Sequence, residues 1–457
     1  MSFNHCYYLA EMRSSKIGIT TTLKSYFSRQ LRWFVPGIGI KRWILLILFG
    51  TTLLAVGLAV LILDIYRTAP TTWWLPVFSF LSLRFLDRTL RAIVFGGLGI
   101  AFLVWGVTGL NRSLLKPFLP SGTVVVDSIS SYRKRERGPK IVTIGGGNGL
   151  STLLRGMKTQ TSNLTAVVTV ADDGGSSGTI RRNLGILPPG DIRNCLAALS
   201  DDEALLSQVF QYRFGEKMGL NGHSLGNLLI TALTEITGSF EEAVAESGRV
   251  LAVRGRVLPS SLHDVRLVAD MESNGKDGET QVRGESKIPL AKGTIRRIWL
   301  EPDNPAGYPP AIQAILSADL ILVGPGSLYT SILPNLLVPD LKAALLSSRA
   351  LKFYICNVAT QIGETDKFTC KRHIQVLEDH LGSNIFDLMV INNRFDGKLS
   401  HGVQWVRCES DLDQEYQIYA TDLVDIEHPW RHDSGKLTSA IMDLYLEKTG
   451  PLVMKDD

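Results

Sequence analysis

Six short runs in this chain gather glycine, hydroxyl, carboxylate and amide groups, and four of them stand where a strand would hand over to a helix. The first is Gly145-Gly146-Gly147-Asn148-Gly149, directly after Ile141-Val142-Thr143-Ile144. The free N–H groups at a helix start attract anions, and glycines let a phosphate approach the backbone. The spacing is Gly-x-Gly-x-Gly followed by Leu150. That is neither the dinucleotide fingerprint nor the Walker loop with its Gly-Lys-Ser/Thr ending, so a tight structural turn stands as the alternative.

The second run is Asp172-Asp173-Gly174-Gly175-Ser176-Ser177. Two adjacent carboxylates at a strand end accept ribose hydroxyls or coordinate Mg²⁺, and the glycines and serines behind them offer donors to a phosphate. The bland alternative is an Asp-Gly turn with helix-capping serines. In the third run, Pro189-Gly190-Asp191-Ile192-Arg193, Asp191 suits a helix N-cap. Arg193 then lies in a first helical turn, an unfavourable place for a cation unless it faces an anion. The fourth run, Gly222-His223-Ser224-Leu225-Gly226-Asn227, offers a capping Ser224 and a His223 that reaches either a substrate or a backbone carbonyl. No Gly-x-Ser-x-Gly elbow accompanies it, which argues against a serine hydrolase. The fifth run contributes Gly324, Gly326, Ser327 and Thr330; the sixth contributes Asn357, Thr360 and Gln361.

Strands are expected at 140–144, 166–170, 320–323, 352–356 and 388–392. Helices are expected at 150–157, 192–199, 204–214, 225–237, 240–250, 309–317, 373–381 and 436–448. Strands alternating with amphipathic helices make a parallel α/β sheet, whose ligands bind at its carboxyl edge. Residues 251–301, with turn pairs Asn274-Gly275 and Asp277-Gly278, read instead as an antiparallel hairpin insertion. The four strand-end runs therefore converge on one crevice.

The N-terminal part reads differently. Residues 43–63 and 92–110 carry no charge, and each is long enough to span a bilayer as a helix. Lys and Arg are dense before the first run, from Arg13 to Arg42, and after the second, from Arg112 to Lys140. They are sparser between, at Arg67, Arg84, Arg88 and Arg91. By the positive-inside rule both ends face the cytoplasm, with a multi-pass anchor in a bacterial inner membrane. The expected organisation is an N-terminal segment 1–42, a two-helix anchor 43–110, a basic linker 111–138 and a cytoplasmic domain 139–457. Apolar content of 45% fits this, and a net charge of +4 without aromatic interleaving argues against nucleic acid as a partner. The five cysteines show no metal-ligand spacing, which argues against a zinc site or a disulfide framework.

Gly-Gly-Gly-Asn-Gly-Leu (145–150), Ala-Asp-Asp-Gly-Gly-Ser-Ser-Gly (171–178), Pro-Gly-Asp-Ile-Arg (189–193), Gly-His-Ser-x-Gly-Asn-Leu (222–228), Gly-Pro-Gly-Ser-Leu-Tyr-Thr-Ser (324–331) and Asn-x-x-Thr-Gln-x-Gly-Glu-Thr (357–365) resemble the YvcK-like gluconeogenesis factors. That family shares a superfamily with the 2-phospho-L-lactate transferases. The resemblance covers roughly 139–445. A two-helix anchor ahead of it is similar to what photosynthetic bacterial members carry. It implies a Rossmann-like, mostly parallel α/β fold that binds UDP-glucose or UDP-N-acetylglucosamine. It also implies a role in cell shape and envelope synthesis on gluconeogenic carbon, with envelope-synthesis enzymes as partners and an oligomer left open. The transferase relatives use a carboxylate-rich metal site, and Asp172 and Asp173 match that region. The chain departs from the family at Asn148, where Thr is common. The preferred reading is a membrane-tethered nucleotide-sugar sensor. The alternatives are a Mg²⁺-dependent transferase using Asp172, Asp173, Arg193 and His223, and a scaffold with a vestigial pocket.

Overall fold

The computed structural model describes residues 48–53, 55, 58–59, 80, 83, 85–115, 132–200, 206–215, 220, 222–273, 279–291, 293–409 and 412–450. The chain divides into two compact units, residues 1–133 with 453–457, and residues 134–452.

In the first unit the expected span 92–110 falls within the helix Arg88–Leu115. Among the described residues no helix is long and apolar enough to cross a membrane. The multi-pass arrangement and the inside–outside assignment built on it are therefore overturned, and the two-helix anchor is left without support. Most of the expected first span, 43–63, of the 64–91 loop and of the 111–138 linker lies outside the described residues.

The second unit is built on a seven-stranded parallel sheet. Its strands are β1 (Ile141–Gly145), β2 (Leu164–Val168), β3 (Arg256–Pro259), β7 (Leu320–Val323), β8 (Leu351–Ile355), β9 (Leu388–Asn392) and β10 (Ile418–Thr421). Their order is β10-β9-β8-β7-β1-β2-β3. Strands β1, β2, β7 and β9 are buried along their whole length, as continuous apolar runs covered on both faces must be. From β1 the chain proceeds outward through β2 and β3; it then returns to lay β7 on the other side of β1, with Ile141 opposite Leu320 and Ile144 opposite Val323. This reversal opens a crevice at the carboxyl ends of β1 and β7, where such sheets take their ligands.

A smaller antiparallel sheet orders as β5-β4-β6, from β4 (Arg266–Ser273), β5 (Glu279–Arg283) and β6 (Gly293–Glu301). The expected insertion is thus present, but it starts later than 251: β3 pairs in parallel with β2 and belongs to the main sheet. The helices Leu225–Thr237 and Phe240–Val250 have the expected bounds, and Ser224 and Ser239 cap them by accepting from Asn227 N (3.3 Å) and Glu242 N (3.2 Å). The helix Ser434–Thr449 begins at its cap Asp433, which accepts from Lys436 N at 2.8 Å. It crosses close to the helix Gly147–Met157, where a Cβ on Gly156 would lie 2.5 Å from Ser434 O.

Candidate functional site

Strand β1 ends at Gly145, and the helix Gly147–Met157 starts two residues later from Gly146, whose extended backbone carries no side-chain cap. The Gly147 N–H is taken by the Asp191 carboxylate, and the N–H groups that follow it are left for an external acceptor. Gly147 sits at φ +62°, a left-handed conformation that costs a side-chain-bearing residue energy. A Cβ on Gly149 would lie 2.5 Å from Pro325 O, so the helix start and the segment after β7 touch backbone to backbone. Above them lies a cavity of about 540 Å³, lined by Gly146–Gly149, Thr152, Pro325–Ser327, Ser331, Asn357–Ile362, Ser400, Val403 and Trp430–His432. That volume is in the range of sites for nucleotide-sized ligands.

The wall after β7 is fixed by side chains that bond to the protein itself. Asn357 accepts from Gly326 N (3.1 Å) and donates to Gly326 O (2.7 Å). Asn335, fully buried, donates to Gly145 O (2.9 Å) and Ser331 O (2.7 Å), tying the glycine turn to the π-helical turn Leu328–Ile332. Ser327 donates to Glu364, and Thr330 reaches both Ser327 Oγ (2.5 Å) and Glu364 Oε1 (3.3 Å). Burial pushes the Glu364 carboxyl above its ordinary value, against these hydroxyls. The Ser327 and Thr330 hydroxyls thus bond to a carboxylate 37 and 34 residues away along the chain.

The third wall carries the expected Thr360 and Gln361. Thr360 exchanges bonds with Gln404, N to O at 2.8 Å and Oγ1 from Gln404 N at 2.9 Å. Gln361 donates its N–H to Thr365 Oγ1 (2.9 Å), while its Oε1 is buried with no partner. Residues 430–432 complete this wall. His432 Nε2 donates to Cys356 O (3.1 Å), and burial drives its imidazole down to about 4. Asp433 caps the helix that follows, and Arg431 and His432 line the cavity. Trp430, Ser400 and Val403 have no sequence signal beyond their place in loops.

The remaining expected residues gather on the far side of Gly146 and do not line this cavity. Asp172 accepts from Gly174 N (2.9 Å), and its pKa is raised chiefly by burial, against the opposing bonds from Gly174 and the Ser177 hydroxyl. Asp173 turns away to Ser286 N (2.8 Å). The two carboxylates thus serve different partners, and among the described residues no group of three or more His, Cys, Asp or Glu is placed to hold a metal. Asp191 is not the N-cap: Pro189 takes that position, and Asp191 lies half-buried in the first turn, accepting from Gly147 N. Burial, then the charge of Asp172, pushes its carboxyl up to about 7. Glu285, which no sequence motif marks, is pushed up to about 8 by burial and then by Asp172 and Asp191. Ser176 lies between His223 Nδ1 (2.9 Å) and Asn227 Nδ2 (3.0 Å). Arg193, in the helix Gly190–Leu199, is buried; its Nη2 donates to Asn194 Oδ1 (2.7 Å), and its Nε and Nη1 have no partner.

The family model described as 2-phospho-L-lactate transferase CofD matches residues 141–424. A Nostoc sp. (strain PCC 7120) protein, named provisionally as a gluconeogenesis factor, is 48% identical over 370 residues, 79% of each chain. The gluconeogenesis factor of Bacillus subtilis (strain 168) is 45% identical over 324 residues, 68% of this chain and 99% of the relative. A crystal structure of a UPF0052 family member from Bacillus halodurans superposes with a TM-score of 0.62 at 45% identity, covering 67% of this chain and 99% of that one. Motifs, sheet topology and these likenesses agree: the chain belongs to the CofD family, on its gluconeogenesis-factor branch.

Proposed function

We propose that this protein is a nucleotide-sugar sensor that binds UDP-glucose or UDP-N-acetylglucosamine in the 540 Å³ cavity. The observation that carries this reading is the pairing of the helix start at Gly146–Gly149, which has no side-chain cap from Gly146, with a polar wall across one crevice. The diphosphate would lie against Gly146–Gly149, with Arg431 offsetting its charge. The unpartnered Gln361 Oε1 suits the imide N–H of uracil. A role in envelope synthesis and cell shape during gluconeogenic growth, with an envelope-synthesis enzyme as partner, follows from the family resemblance. Calorimetry of the full chain with both UDP-sugars tests the reading; absence of heat at millimolar ligand would sink it.

One observation favours a second reading, a transferase of the 2-phospho-L-lactate type. Asp191 is half-buried, pushed up to about 7 and bonded to the glycine turn beside Asp172, an arrangement suited to general acid–base work near neutral pH. Here Asp172 would help hold a Mg²⁺ carried by the substrate's phosphates, and Asp191 would move the proton of the transfer step. Product formation that requires a divalent cation and disappears in Asp191→Asn supports this reading. No product with any metal and candidate donor refutes it.

A further inference from the structure

We propose that Arg193, Arg213 and Asn227 form a second ligand subsite, outside the glycine-turn cavity. It would take a small anion that carries a hydroxyl beside its phosphoryl or carboxylate oxygens. The inference is independent of nucleotide-sugar binding, since none of these residues lines the cavity.

Two unmet hydrogen-bonding demands lie side by side. Arg193 is 6% exposed and Asn227 1% exposed. Arg193 Nε and Nη1 are buried donors without an acceptor, and Asn227 Oδ1 is a buried acceptor without a donor. Buried polar groups of this kind are nearly always satisfied. The Arg193 stem passes Gly226, where an added Cβ would sit 2.9 Å from its Cδ, and this brings it next to Asn227. The orientation of the amide is held from behind: Asn227 Nδ2 donates to Ser176 Oγ (3.0 Å), and Ser176 Oγ pairs with His223 Nδ1 (2.9 Å). Arg213, exposed and anchored by Nη1 to Gly222 O (3.1 Å), lies near enough for its charge to oppose that of Arg193. Two guanidiniums with open donors take an anion, and the lone carbonyl oxygen of Asn227 takes a hydroxyl hydrogen. Asp172 and Asp191 border Arg193 but leave its Nε and Nη1 unbonded.

The test is calorimetry of the full chain with glucose 1-phosphate, gluconate and inorganic phosphate. Glucose 1-phosphate or gluconate should bind in the millimolar range or tighter, the better of the two showing whether the anion is phosphoryl or carboxylate. Inorganic phosphate should bind at least tenfold more weakly than that better ligand. Arg193→Gln should weaken binding tenfold or more, and the exposed Arg213→Ala, which carries little risk to folding, several-fold. Asn148→Asp, which repels anions from the glycine turn, should leave it unchanged. The proposal is overturned if neither organic anion binds, if inorganic phosphate binds equally well, if Arg213→Ala and a folded Arg193→Gln both bind normally, or if Asn148→Asp alone abolishes binding.

Discussion

Two alanine substitutions in one turn should fail for different reasons and by different amounts. At Gly147, φ is +62°, and an added Cβ would meet only Ser331 Oγ at 3.7 Å. The penalty is then the backbone conformation alone, about 1–2 kcal/mol for an L-residue held left-handed. At Gly149 an added Cβ would fall 2.5 Å from Pro325 O, 2.7 Å from Pro325 C and 2.9 Å from Gly326 Cα. All three are backbone atoms, so a main-chain segment must shift, at about 3 kcal/mol or more. Urea unfolding, read as the midpoint at constant m, should rank wild type above Gly147→Ala and that above Gly149→Ala. Gly149→Ala should also weaken UDP-sugar binding, because the shifted segment is a wall of the cavity. Equal losses, or a milder effect at Gly149, would refute the claim that helix start and opposite wall are packed backbone to backbone.

Three further outcomes are expected. Asp191 keeps its proton to about pH 7 when folded but loses it above its ordinary 3.8 when unfolded. The folded state therefore binds the extra proton across that window, and stability falls as pH rises through it; Asp191→Asn should gain on wild type by about 2–4 kcal/mol between pH 4 and 8 in denaturation midpoints, and a constant difference refutes the assignment. His432 works in the other direction, since its folded value near 4 lies below 6.5; its stabilisation is complete above pH 6.5 and is lost as pH falls towards 4, so His432→Leu should flatten that limb while costing about 1 kcal/mol at pH 8 through the lost bond to Cys356 O. Glu364→Ala should destabilise by about 2–3 kcal/mol, because the Ser327 and Thr330 hydroxyls lose their acceptor, whereas Glu364→Gln, which keeps an acceptor oxygen, should retain most of that stability; similar midpoints for the two variants would show that the hydroxyl bonds contribute little.

The sequence was most legible where local pattern and tertiary role coincide. Leu320–Val323 and Leu388–Asn392 form where expected because each is a continuous apolar run buried on both faces. The second strand lies two residues earlier than expected, since Leu164 and Thr165 pair with Ile141 and Val142 while Thr169 and Val170 already belong to the turn. The helix Gly175–Leu184 escaped notice because it opens on glycines and has no side-chain cap, and β10 escaped because its exposed and half-buried residues lack an apolar run. Strand-end motifs located the crevice, because position in an α/β sheet follows from element order. They could not reveal that Ser327 is bonded to Glu364, that Asp173 is bonded to Ser286, or that Asp191 reaches Gly147. Such pairings depend on which distant loop folds over which side chain.

The ladder between β1 and β7 joins segments that leave the ribosome far apart in time. At about 5–20 residues per second, β7 emerges roughly 10–35 s after the glycine turn. Until then β1 can pair with β2 but has a bare apolar edge from Ile141 to Ile144, the kind of edge that recruits strands from other chains. The arrival of Leu320–Val323 covers that edge and delivers Pro325–Ser327 opposite the glycine turn in a single step. A nascent chain that has not yet closed this ladder can have neither a wall across from the glycine turn nor protection from its neighbours, so ligand competence and escape from aggregation begin at the same moment in its synthesis.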